Sequence, residues 1–226
     1  TLVEFHQLKV HNIHHNALPT AEMAITLMLA AARKLIPIDK TFRHNDWRPM
    51  YDFDHGTVGR KRSDGPILLS GKTALIIGYG AIGQNIGKVC RSLGMKVNAV
   101  RQHPAPNSTE IKQFPPNKIK QLLPETQVLF ISLPFTPDKK NYLGVEELSL
   151  LPDEAIIVNV ARGWIIEEKA LYDELASGRL RAGLDVWYRY PQEKDQRTNT
   201  PPSEYPFHLL ENVVMTPHLG GHSDET

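Results

Sequence analysis

The 226-residue chain is 41% hydrophobic and 23% charged, an ordinary folded composition that excludes bulk disorder and allows one large domain or two small ones. Its formal net charge of +1 gives no electrostatic reason to expect nucleic acid or an anionic membrane as partner, which leaves small molecules. The single cysteine, Cys90, excludes an internal disulfide framework; with no signal-peptide pattern and no apolar run long enough to span a bilayer, a soluble cytoplasmic protein is the default expectation.

Residues 1–18 alternate loosely and contain His6, His11, His14 and His15. No cysteine or acid completes a ligand set at useful spacing, so a polar loop with incidental histidines is expected in preference to a zinc site. From Thr20 the pattern is helical. Thr20 can cap, Glu22 falls in the first turn, and Met23, Leu27, Ala30, Ala31 and Leu35 mark an apolar face that ends at Pro37. Its near-continuous apolarity predicts burial on several sides, as between two domains or two subunits. Residues 45–70 mix Trp47, Tyr51 and Phe53 with prolines, glycines and the basic run 60–62, and show no period. That run reads as solvated surface before it reads as a nucleic-acid contact, and extended segments of this kind often pack on a partner subunit.

The stretch Leu75-Ile-Ile-Gly78-Tyr-Gly80-Ala-Ile-Gly83 joins a buried-strand pattern to a glycine turn and then to a helix pattern. Thr73 to Ile77 is a short apolar run with β-branched residues; from Ala81 the spacing turns helical through Ile82, Ile86, Val89 and Leu93. Gly78 permits the tight turn, Gly80 lets backbone approach a pyrophosphate, and Gly83 lets the helix pack close to the strand. The helix start at Ala81 and Ile82 then offers free N–H groups to the anion. Further strands are expected at Met95–Val100, Thr126–Ser132, Ala155–Val160, Ala182–Val186 and Val213–Thr216. Helical crossovers are expected at Asn117–Leu123, Val145–Leu151 and Glu167–Ser177, the last ending at Gly178. This alternation predicts an α/β fold, a doubly wound parallel sheet of Rossmann type, with ligands at the carboxyl ends of its strands.

About twenty residues beyond the glycines, NAD-binding units place an acid that holds the ribose hydroxyls. Here the stretch is Val100-Arg101-Gln102-His103, without an acid. Arg101 would attract a 2′-phosphate, so NADP is preferred; an Arg101 that stacks on adenine from solvent is compatible with NAD as well. The remaining strand ends carry Leu133-Pro134, Val160-Ala161-Arg162-Gly163, Leu184-Asp185-Val186 and Thr216 to Gly221. Arg162, Asp185 and His218 are the polar side chains among them. Arginine can pair with a substrate carboxylate and polarise an adjacent carbonyl, and histidine can transfer a proton near neutral pH.

These residues resemble the D-isomer-specific 2-hydroxyacid dehydrogenases, a family that includes glyoxylate and hydroxypyruvate reductases and phosphoglycerate dehydrogenases. The resemblance covers almost the whole chain. It rests on Asn16 through Ala24, Gly71-Lys72, the glycine motif, Val158-Asn-Val-Ala-Arg-Gly163, Ala182-Gly-Leu-Asp-Val186 and Asn212-Val-Val-Met-Thr-Pro-His218. It implies that Arg162 binds the substrate carboxylate and orients the keto group, that His218 is the general acid, and that Asp185 contacts the nicotinamide carboxamide. Val160 and Ala161 would supply backbone near the nicotinamide, and Leu133, Pro134 and Gly220 join the expected cofactor contacts. It also implies a homodimer with the long helix and the following loop in the interface; joined to the reading of Arg101, it makes the expected function an NADP-dependent reductase of small 2-keto acids. The rival reading is a cofactor-binding sensor or scaffold with little turnover.

Two departures from the family pattern stand out. The family continues from the aspartate into an acidic run whose glutamate pairs with the catalytic histidine, whereas Asp185-Val-Trp-Tyr-Arg-Tyr190-Pro191 puts Tyr190 there. A neutral phenol can orient an imidazole but cannot stabilise imidazolium as a carboxylate does, which predicts a lower pKa for His218; Glu193 or Asp195 could supply the missing charge. Second, family members begin with a whole small domain before anything like Thr1 and continue beyond a counterpart of Thr226. The expected organisation is therefore a remnant of the substrate-side domain over 1–19, a dinucleotide-binding domain over 20–218 with an interdomain helix and dimer arm at 20–70, and a return toward the substrate side over 219–226. The chain would then be a fragment or, as an entire product, would leave its crevice without one wall.

Overall fold

The computed structural model describes residues 15–49, 65–105 and 111–224; His6, His11, His14, Tyr51, Phe53 and the basic run 60–62 lie outside them. The centre is a seven-stranded, wholly parallel sheet in the order β3-β2-β1-β4-β5-β6-β7. Its strands are β1 (Thr73–Ile77), β2 (Lys96–Val100), β3 (Lys112–Phe114), β4 (Val128–Ile131), β5 (Ile156–Asn159), β6 (Arg181–Leu184) and β7 (Val213–Met215). The helices are α1 (Ala17–Ala32), α2 (Leu35–Phe42), α3 (Ala81–Ser92), α4 (Ile119–Leu122), α5 (Val145–Ser149) and α6 (Glu168–Ala176).

The continuous apolar runs of β4 and β5 are buried on both faces, as a parallel sheet covered on each side requires. Alternation sorts their side chains into two cores. Leu75, Ile77, Leu129, Ile131 and Ile157 point toward the α4–α6 side; Ala74, Ile76, Phe130, Ile156 and Val158 meet α1 and α3 on the other. α1 lies across β5, β6 and β7 beside α3. Its buried alanines, among them Ala24 and Ala32, permit close approach, and at Gly183 a Cβ would stand 2.7 Å from the Leu27 Cβ. That glycine is what lets helix and sheet touch.

Several boundaries depart from the sequence expectation. α1 starts at Ala17, and Thr20 is not its cap: the Thr20 hydroxyl donates to the Asn16 carbonyl from within the helix. The helix ends at Ala32, ahead of Pro37, because Lys34 takes a left-handed conformation with φ 51°. Pro37 then sits in the first turn of α2, where a missing N–H costs nothing. The crossover expected over Asn117–Leu123 is α4 between two 3-10 turns. β3 was not foreseen. It is three residues long, largely polar, and among the described residues paired only with β2.

Because β1 has β2 and β3 on one side and β4 to β7 on the other, the chain reverses its direction of winding between β1 and β4. The carboxyl ends of these two strands therefore flank the crevice where open α/β sheets bind ligands.

Candidate active site at the strand ends

The turn from β1 to α3 is set by backbone geometry. Gly78 has φ +99°, and a Cβ there would lie 2.6 Å from the Leu133 Cα at the end of β4. Its N–H donates to the Val100 carbonyl at 3.0 Å, and its carbonyl accepts the Ser132 hydroxyl at 2.8 Å, so the turn is pinned to the strand on either side. At Gly83 a Cβ would run into the Gly78 carbonyl and reach 3.1 Å from the Ile76 Cγ2. Gly80 differs. It is extended, N-caps α3 without a side-chain bond, and a Cβ built on it meets nothing within 4 Å. The space above Gly80, with the first N–H groups of α3 at Ala81 and Ile82 facing no intrahelical acceptor, fits the pyrophosphate of a dinucleotide.

Arg101 follows β2, its N–H bonded to the Phe114 carbonyl of β3 at 3.1 Å. Its side chain lines an open groove with Tyr79, Asn85, Lys88, Arg91 and Gln113, and no carboxylate lines that groove among the described residues. Leu133 is half-buried and Pro134 exposed at the end of β4.

At the end of β5, Asn159 is buried and its amide spans the turn. Its Oδ1 accepts the Ala161 N–H at 3.0 Å, and its Nδ2 donates to the Arg162 carbonyl at 3.0 Å. Val160 and Ala161 stay buried while the Arg162 side chain is exposed, its Nη1 donating to the Ala161 carbonyl at 2.6 Å. Gly163 must be glycine, since a Cβ would lie 2.6 Å from the Trp187 carbonyl carbon.

At the end of β6, Asp185 is 1% exposed. Its Oδ1 accepts the Thr216 hydroxyl at 2.6 Å and the Leu219 N–H at 2.8 Å, and its Oδ2 accepts the Gly220 N–H at 2.8 Å. Trp187 donates its indole N–H to the Thr216 carbonyl at 2.9 Å and its backbone N–H to the Tyr190 hydroxyl at 3.0 Å. His218, with φ 60°, stands against the Tyr190 ring at a centroid distance of 5.5 Å and a 56° tilt.

Electrostatics follow from this packing. Burial pushes the His218 imidazole below its ordinary pKa, the Arg162 charge adds to the effect, and Asp185 opposes it. Burial raises the Tyr190 phenol, against the hydrogen bond from Trp187. Both shifts favour the uncharged form of the group. Neither Glu193 nor Asp195 is among the charges acting on His218; Glu193 is exposed and its N–H turns to Gln196.

Arg162, Asp185, Tyr190 and His218 thus converge at neighbouring strand ends, with the glycine turn across the sheet's switch point. Sequence reasoning did not foresee the buried clamp at Asn159, nor Trp187 and Thr216 as partners of the 216–220 turn. An Asn directly before a polar strand end was the available signal for the first; nothing local marks the others.

Comparison with known proteins agrees with this architecture. The family model for the NAD-binding domain of D-isomer-specific 2-hydroxyacid dehydrogenases matches residues 25–220. The chain is 32% identical over 212 residues to the D-3-phosphoglycerate dehydrogenase of Methanocaldococcus jannaschii, covering 93% of this chain and 36% of that protein. It is 32% identical over 220 residues to the glycerate dehydrogenase of Methylorubrum extorquens, covering 96% and 62%. A crystal structure of a glyoxylate reductase from Paecilomyes thermophila superposes with a TM-score of 0.73 at 28% identity over 95% of this chain and 58% of that one. In each case the chain spans less than two thirds of its relative's length. With its parallel sheet, glycine turn and strand-end residues in place, the chain belongs to the D-isomer-specific 2-hydroxyacid dehydrogenase family, of which it carries the NAD-binding domain.

Proposed function

We propose that the protein to which this chain belongs is an NADP-dependent reductase of small 2-keto acids, equivalently a dehydrogenase of D-2-hydroxy acids. The observation that carries this reading is the convergence of exposed Arg162 and half-buried His218 on the crevice bordered by the glycine turn. A bound nicotinamide cofactor supplies the hydride. Arg162 pairs with the substrate carboxylate and polarises the adjacent carbonyl. His218 gives its proton to the alkoxide oxygen as the hydride arrives at carbon, and the Tyr190 ring orients the imidazole without adding charge. Val160, Ala161, Leu133, Pro134, Asp185 and Gly220 are the residues that would hold the nicotinamide.

NADP is favoured by Arg101, whose groove is shared with Lys88 and Arg91 and is free of carboxylates among the described residues; such a groove suits an adenosine 2′-phosphate, which a carboxylate there would repel. A homodimer is favoured by the apolar side chains left exposed along the α1–α2 segment, where Leu18, Leu35, Ile36, Phe42 and Trp47 are each at least half exposed. Among the described residues no helix is long and apolar enough to cross a membrane, and the buried thiol of Cys90 suits the cytoplasm.

The test is steady-state oxidation of NADPH and NADH by the full-length product, with glyoxylate, hydroxypyruvate and pyruvate as acceptors. Turnover that prefers NADPH and is lost in His218→Ala is expected. Tight NADPH binding without turnover of any acceptor would instead make the protein a cofactor-binding sensor or scaffold.

A further inference from the structure

His218 occupies the left-handed backbone region, with φ 60°, which non-glycine residues adopt seldom and keep only where their surroundings hold them. What holds it is on the neighbouring strand end. Asp185 collects the Thr216 hydroxyl from two residues before His218 and the Leu219 and Gly220 N–H groups from immediately after it, at 2.6, 2.8 and 2.8 Å. Trp187 fixes the same turn again through the Thr216 carbonyl at 2.9 Å, and through its own N–H it holds the Tyr190 hydroxyl at 3.0 Å, setting the ring against which the imidazole stands. At Gly220 a Cβ would come within 2.8 Å of the Asp185 Oδ2, so only glycine lets this backbone N–H reach the carboxylate.

We propose that Asp185, with Trp187 and Thr216, is a positioning device for His218: the 185–190 segment grips the 216–220 turn on both sides of the histidine and fixes where its imidazole lies. A buried carboxylate is stable only when its oxygens are satisfied, and here the donors that satisfy it all belong to the histidine's own turn. The carboxylate is 1% exposed and committed inward. Its effect on His218 runs through the backbone of residues 216–220, a role separate from the contact with a nicotinamide carboxamide that the family resemblance implies for it. The inference rests on the reading of His218 as the proton donor, but its test does not require turnover.

Three variants separate the roles: Asp185→Asn, Thr216→Val and Trp187→Phe. The latter two remove one hydrogen bond each and leave every charge in place. The His218 imidazole is followed by NMR through a pH titration, its signal assigned by its disappearance in His218→Gln. Binding of NADPH and of 2′,5′-ADP, which lacks the nicotinamide, is measured in parallel. Positioning predicts that Thr216→Val and Trp187→Phe both displace the His218 resonance and broaden its titration, while NADPH and 2′,5′-ADP affinities stay within about twofold; in the full-length enzyme kcat then falls about tenfold or more at little changed KM. Unmoved His218 resonances in both uncharged variants, with Asp185→Asn weakening NADPH but not 2′,5′-ADP, would overturn the proposal and make Asp185 a nicotinamide ligand. Should Asp185→Asn not fold, the two uncharged variants decide the matter alone. A parent protein that binds NADPH but turns over nothing would refute the reductase reading and leave the NMR result standing.

Discussion

Gly78 and Gly80 lie two positions apart in one turn, yet adding the same methyl group to each has opposite consequences. At Gly78 an alanine would have to hold φ near +99°, which costs an L-residue about 1–2 kcal/mol. Its Cβ would also sit 2.6 Å from the Leu133 Cα, so the end of β4 must move, at an overpacking cost of about 1–3 kcal/mol. Together these remove on the order of 3 kcal/mol, a large share of the 5–15 kcal/mol that holds a typical domain. At Gly80 the backbone is already in a region alanine accepts, and the methyl meets nothing within 4 Å. The cofactor-free protein should lose less than about 1 kcal/mol, the scale of a weakened N-cap. The methyl does, however, fill the space offered to a pyrophosphate, and NADPH affinity should fall at least tenfold, about 1.4 kcal/mol. Urea denaturation of the cofactor-free protein reads the first quantity and fluorescence titration with NADPH the second. Full NADPH affinity in Gly80→Ala would show that the pyrophosphate lies elsewhere, and a Gly78→Ala protein as stable as its parent would refute the steric account of the turn.

Replacing Tyr190 by glutamate puts an anion beside His218, whose pKa burial and Arg162 hold below 6.5. The pKa should rise, and reduction, which consumes the imidazolium proton, should persist to higher pH; an unchanged pH–rate profile in Tyr190→Glu would remove Tyr190 from the proton-transfer account. Arg101→Ala should weaken NADPH binding about tenfold while leaving NADH nearly untouched, and equal losses for the two would assign Arg101 to adenine stacking. Burial pushes the Cys90 thiol up to about 12, so a thiol reagent at pH 8 should label it only as fast as the protein unfolds; rapid labelling of the native protein would show that α3 leaves the sheet. Asn159→Ala leaves the Ala161 N–H without its partner and the Arg162 carbonyl with only the Ile165 N–H at 3.3 Å. It should destabilise the protein by about 2 kcal/mol and raise KM through Arg162, measured by denaturation and steady-state kinetics; an unaltered KM would separate the clamp from carboxylate binding.

The sheet was legible because its information is local and periodic. Five-residue apolar runs such as 73–77, separated by helical spacing, leave few alternatives to a parallel α/β fold, and topology then places Arg162, Asp185 and His218 at neighbouring strand ends. What escaped has a different physical origin. β3 offers only Lys112, Gln113 and Phe114, and its strand character comes from pairing with β2. The break after α1 depends on Lys34 taking a left-handed conformation without a glycine to announce it, so Pro37 read as a terminator when it opens a second helix. The grip on His218 escaped because it joins residues about thirty positions apart, such as Trp187 to Thr216, which no local pattern encodes.

The two halves of the crevice are built on different principles, and the difference follows from what each must hold. The side bordered by β1 and β4 presents backbone: glycines remove side chains where strand ends crowd, and the open space above Gly80 is shaped by what is absent. A pyrophosphate needs little more than such a cradle and a helix start. The side bordered by β5, β6 and β7 presents side chains, and the proposed proton transfer demands that they be placed to within a fraction of an ångström. Loops beyond strand ends lack the ladder that fixes a strand, so two buried polar side chains substitute for it: Asn159 spans the Arg162 turn and Asp185 the His218 turn. The Asp185 N–H donates to the Asn159 carbonyl at 3.1 Å, which joins the two clamps across adjacent strands. Arg162 and His218 are thereby referred to one rigid frame, so a change at either clamp should be felt at both side chains, whereas a methyl added at Gly80, which meets nothing within 4 Å, should be felt by the cofactor alone.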